Sequence, residues 1–144
     1  MMNADDSLIL FINDQNADAT PSTKEKWRQL RTLSKTFAVP SIKECVECIA
    51  GLPTVYETIN ARLSESKRRT VILAGLWFEK SISLIALRLI EDGFDVFICV
   101  DACEIDDKQF EEVYRQRIST FMGVLTTVQQ VDYEFISTKS CSSS

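Results

Sequence analysis

Ser81 closes the stretch Gly75-Leu76-Trp77-Phe78-Glu79-Lys80-Ser81, which follows the apolar run Thr70-Val71-Ile72-Leu73-Ala74 and opens a helical pattern. A hydroxyl at such a strand-to-helix turn becomes a nucleophile only if a general base lies within hydrogen-bond reach. The sequence contains no histidine. That removes Ser-His-Asp and Cys-His arrangements and His-ligated zinc, and leaves carboxylates, lysines, perturbed cysteines or tyrosines and the N-terminal amine as bases. The candidates are Asn13, Asp14 and Gln15 after the run Leu8-Ile9-Leu10-Phe11-Ile12, Lys80 beside the serine, and Asp101 and Cys103 after the run Asp95 to Val100. Each has a defect. Asn13 is no useful proton acceptor, and Asp14 points to the opposite side of a pleated strand from Asn13. Lys80 and Ser81, adjacent on a helix, diverge by about 100°. Cys103 without a basic partner is a small apolar residue. Ser81 reads most simply as a hydroxyl satisfying a free backbone N–H at a helix start.

The five cysteines, Cys45, Cys48, Cys99, Cys103 and Cys141, are odd in number and lack framework spacing, as expected of reduced thiols. Cys45-Val46-Glu47-Cys48 offers at most half of a tetrahedral zinc site, and packing explains it better than redox chemistry. No metal and no cofactor is expected.

The elements that must position these groups belong to one domain. A length of 144 residues, 45% hydrophobic and 26% charged, suits a single globular unit, with the domain over 1–137 and a flexible serine-rich tail over 138–144. The formal charge of −5 speaks against nucleic acid, and Lys67-Arg68-Arg69 reads as a solvated turn. No apolar run reaches the roughly 18 residues that cross a bilayer, and Met1 to Ser7 is polar, so a cytoplasmic protein is expected.

Continuous apolar runs at 8–12, 70–75 and 95–100 predict strands buried on both faces. A weak strand is expected at 38–42, beside Pro40, and a short one at 123–127. Helices are expected at about 24–37, from Gly51-Leu52-Pro53 through Leu63, at 79–92, at 106–121 and at 128–136. Strands alternating with helices imply an α/β fold, a doubly wound, mainly parallel sheet with helices on both faces, in three α/β/α layers of Rossmann-like form. In such sheets ligands bind beyond the carboxyl ends of the strands, which selects Asn13 to Gln15, Gly75 to Ser81, and Asp101 to Cys103.

Taken together, Leu8 to Gln15, Gly75 to Ile82, Asp92-Gly93-Phe94 through Asp101-Ala102, and Gly123-Val124-Leu125-Thr126-Thr127 resemble the isochorismatase-like cysteine hydrolases. The resemblance implies the fold just described and an aspartate, lysine and cysteine at the site. With Gln15 fixing the register, the aspartate position falls on Asn13 and the cysteine position on Ser81. No lysine can be placed: Lys43 is the only one between Lys35 and Lys67, and nothing around it matches.

The expectation is therefore a non-catalytic member of this group, with no confident catalytic residue, acting through a protein partner or as a homo-oligomer, without nucleic acid or membrane. Its cleft would include Asp14, Gln15, Gly75, Trp77, Lys80, Asp101 and Cys103. The alternative is a small-molecule amide or ester hydrolase with an altered nucleophile. A phospho-accepting receiver-like domain would rest on Asp14 and Asp101 alone.

Overall fold

The computed structural model describes the chain through Ser142 and its side chains through Lys139. The three apolar runs form the middle of a sheet: β1 (Ser7–Asp14), β3 (Thr70–Leu76) and β4 (Asp95–Glu104). Edge strands β2 (Ser41–Val46) and β5 (Val124–Thr126) complete the order β2-β1-β3-β4-β5, and every neighbouring pair is parallel. All seven residues of β3 are buried, which is why its run shows no polar alternation.

The two faces follow from the pleat. Leu8, Leu10 and Ile12 of β1 pack with Val71 and Leu73 against α2 (Leu52–Ser66), α3 (Ser83–Glu91) and α4 (Glu111–Thr120), through Ile59, Leu63, Ile85, Leu89 and Ile118. Ile9 and Phe11 face the other way, toward Leu30 of α1 (Pro21–Thr36) and Val131 and Phe135 of α5 (Val128–Ser142). Helices therefore cover both faces, as the patterning predicts. α1 begins with Pro21 in its first turn, behind Thr20, whose hydroxyl accepts from the Thr23 N–H at 3.4 Å.

Several boundaries differ from expectation. β2 starts after Pro40, not before it, and its residues alternate between exposed and buried, the mark of an edge strand with one open face. The helix expected from 79 is preceded by a five-residue π turn, Phe78–Ile82, broken at Lys80 (φ −124°, ψ −106°). The helix expected from 106 begins as a 3₁₀ turn, Lys108–Phe110. α5 continues past 136 to Ser142, while residues 143–144 of the expected flexible tail lie outside the described residues. Arg68 is no solvated turn residue: its guanidinium donates to the carbonyls of Ala4 (2.8 Å) and Ser7 (2.9 Å), pinning the start of β1.

Gly75 is required where it stands. Its φ is +140°, and a Cβ there would lie 1.8 Å from the Ile12 carbonyl oxygen. Only glycine lets β3 approach β1 this closely at the strand ends.

Candidate functional site

From β1 the chain winds outward to β2 and then returns to β3 on the other side, so the loops part above the carboxyl ends of β1 and β3. A cleft of about 370 Å³ opens there, with Asp14, Asn16, Cys48, Trp77, Lys80 and Ser81 in its walls. The pleat decides which strand-end residue enters it. Asp14 shares the α3-facing phase of Leu8, Leu10 and Ile12, whereas Asn13 lines a separate pocket on the α1 side with Trp27 and Lys43. Ser81 therefore shares its cleft with Asp14 and not with Asn13, which corrects the pairing expected from the register of Gln15.

Each oxygen of Asp14 accepts one hydrogen bond, and neither comes from Ser81. The Trp77 indole N–H donates to Oδ2 at 2.9 Å and the Asn16 backbone N–H to Oδ1 at 2.9 Å. Ser81 is only 5% exposed, and among the described residues its hydroxyl has no hydrogen-bond partner. It does not serve as the helix cap expected of it. The local hydroxyl bond is made instead by Ser83, which donates to the Phe78 carbonyl.

Lys80 is committed elsewhere: its ammonium bonds Asp106, and this hydrogen bond holds the amine above its ordinary pKa, as a cation. A protonated lysine cannot take a proton from Ser81. Beneath it Glu79, 3% exposed, accepts from the backbone N–H groups of Asp106 (3.1 Å) and Asp107 (2.7 Å). The buried carboxylate thus ties the loop after β4 to the π turn and sets Asp106 opposite Lys80.

The other expected residues lie apart from Ser81. Gln15 is exposed and Gly75 lies in the sheet. Asp101 accepts from the Val128 N–H at 3.1 Å, at the start of α5, and faces Lys26 at 3.7 Å. Cys103 pairs across the sheet with Gly75. Burial pushes its thiol up to about 12 against the partial opposition of a Gly75 hydrogen bond, so it carries no thiolate near neutrality. Cys45 lines the α1-side pocket and Cys48 the Ser81 cleft, so the two do not converge. No group of three metal-ligating side chains occurs among the described residues. Glu79 and Asp106 are the cleft-building residues that the sequence left unmarked. They act across the gap between β3 and the end of β4, where no local spacing pattern could show them.

No family model matches this sequence, and no curated protein matches it. Solved structures do resemble it. YcaC from Pseudomonas aeruginosa superposes with a TM-score of 0.79 over 93% of this chain and 82% of its own, at 17% identity. The YcaC gene product of Escherichia coli, described as an octameric hydrolase of unknown specificity, gives 0.73 over 88% and 77%, at 20% identity. A putative hydrolase of the isochorismatase family from Chromobacterium violaceum gives 0.73 over 88% and 92%, at 13% identity. The fold is that of the isochorismatase-family hydrolases. Within this isochorismatase-like fold, the opening strand and the glycine-led turn meet directly, since Ile12 pairs with Gly75. Among the described residues no helix is long and apolar enough to cross a membrane.

Proposed function

We propose that this chain is a non-catalytic, cytoplasmic member of the isochorismatase-like group that works by binding, to a protein partner or to further copies of itself. The observation that carries this reading is the hydroxyl of Ser81, which lies in the cleft with no base bonded to it. Asp14 is held by Trp77 and Asn16, Lys80 is a cation paired with Asp106, and the Cys103 thiol is neutral. Serine without an engaged base does not attack a carbonyl at a useful rate. Self-assembly is supported by the octameric Escherichia coli YcaC and by the apolar side chains Phe121, Met122 and Val124, exposed beside the short edge strand β5.

The test is a panel of small amides and esters incubated with purified protein and with the Ser81→Ala variant. Equal, background-level release of product from both is expected. Saturable hydrolysis that disappears in Ser81→Ala would sink the proposal and favour the rival reading, a hydrolase with an altered nucleophile. That rival draws on the presence of Asp14 and Ser81 in one cleft.

A further inference from the structure

The face of the sheet turned away from Ser81 carries a second depression, of about 260 Å³, between the edge strand β2 and α1. It exists because α1 lies across β4, with the Trp27 indole N–H donating to the Ala102 carbonyl at 2.7 Å, so that β2 is left uncovered on this side. Register places Phe11 beside Lys43 and Asn13 beside Cys45, all in the phase that faces α1. Trp27 and Arg31 of α1 close the opposite wall.

Three polar side chains in the lining, Arg31, Lys43 and Asn13, offer donors that no acceptor engages among the described residues, and Glu44 is the carboxylate among the lining residues. Arg31 and Lys43 have neither an ion pair nor a hydrogen-bond partner among the described residues. Glu44 borders the pocket, yet its carboxylate reaches Arg62 of α2 at 3.6 Å. The Asn13 side-chain oxygen is taken by the Asp14 backbone N–H at 3.0 Å, which leaves its amide NH₂ to donate. Burial first, then Asp14, Glu47 and Glu44, raise the Cys45 thiol, so it adds no negative charge. Two cations and an amide donor beside an indole and a phenyl ring make a site for a dianion with an apolar body. The volume lies just under the roughly 300–1,000 Å³ of common ligand pockets, which limits that body to about one ring.

We propose that this pocket binds a small phosphate monoester with a flat apolar substituent, the phosphate held by Arg31, Lys43 and the Asn13 amide and the substituent against Trp27 and Phe11. The site makes no use of Ser81 and stands independently of the binding role proposed above.

The experiment is calorimetric titration of the full chain with phenyl phosphate, inorganic phosphate and benzoate, followed in parallel by tryptophan emission. Saturable binding of phenyl phosphate is expected, with each of Arg31→Gln and Lys43→Gln weakening it about tenfold, as loss of a charge-assisted hydrogen bond does. Trp27→Phe should abolish the emission change, since the only other tryptophan, Trp77, lies in the Ser81 cleft. Lys43 is exposed, so Lys43→Gln keeps the fold and gives the reading even if Arg31→Gln does not. The proposal is overturned if phenyl phosphate shows no saturation at millimolar concentration. It is equally overturned if Lys43→Gln binds as tightly as the parent, or if benzoate or inorganic phosphate binds as tightly as phenyl phosphate.

Discussion

Asp14 and Ser81 occupy one cleft, but the carboxylate accepts hydrogen bonds from the Trp77 indole and the Asn16 backbone N–H and none from the Ser81 hydroxyl. The cysteines give a direct check on this picture of unreactive side chains. Brief alkylation at pH 8 should modify the exposed Cys48, reach the exposed Cys45 more slowly because its thiol is raised, and leave Cys99 and the partly exposed but strongly raised Cys103 unmodified over the same interval, as read by peptide mass mapping. Cys99 is fully buried and its thiol is pushed well up by that burial, while Cys103 is raised to about 12. Tyr56 supplies a pH test. Burial, then its hydrogen bond to Asp92, raises the phenol from 10 to about 12. The folded chain holds this proton more tightly than the unfolded one, so the contribution is whole below pH 10 and is lost as pH rises through about 12. The urea midpoint of the parent should fall more steeply than that of Tyr56→Phe across this window. At this scale the sequence was informative about which residues sit at strand ends and silent about which face they take. Opposite orientations for Asn13 and Asp14 follow from the pleat, but the face that α3 covers is a property of the winding, and it reversed their assignment relative to Ser81. The Lys80–Asp106 pair was hidden for a related reason, since it joins loops after different strands.

At the scale of elements, the β1–β3 junction and the start of α5 are the points where one substitution should matter most. Gly75→Ala should destabilise the fold by about 3 kcal/mol or more, the upper range for overpacking, because the new Cβ would meet the backbone of Ile12 and not a side chain that can yield. Asp101→Ala removes the carboxylate that receives the first N–H of α5 and should cost about 1 kcal/mol. Both values are read from denaturant unfolding; an unchanged midpoint in Gly75→Ala would contradict the close approach of the strands. The inner strands were plain in the sequence because burial on both faces leaves a continuous apolar run. β2 was misplaced because an edge strand alternates, and its residues resemble a loop until a partner strand supplies the pleat. The π turn at Phe78–Ile82 was equally invisible: its residues keep the apolar spacing of a helix, while one backbone twist at Lys80 turns the chain.

At the scale of the whole molecule, the proposed self-assembly can be tested at the β5 edge. Met122 is 84% exposed and stands next to Phe121 and close to Val124, apolar surface that a second copy would cover. Light scattering at fixed concentration should show Val124→Lys shifting the protein toward the mass of one 16.3 kDa chain, without change in far-ultraviolet dichroism. An unchanged mass would remove this edge as the contact between copies. The strand order also bears on how the protein is made. β1 lies between β2 and β3, so one of its two flanks stays open until Leu76 has left the ribosome. At about 5–20 residues per second, the delay between synthesis of Asp14 and of Leu76 is about 3 to 12 s. Throughout that interval a segment whose residues from Ser7 to Ile12 are all buried in the finished fold remains only partly covered. The strand that organises the mature sheet is thus the nascent chain's longest-exposed sticky segment, and the one with most to gain from a chaperone waiting at the exit tunnel.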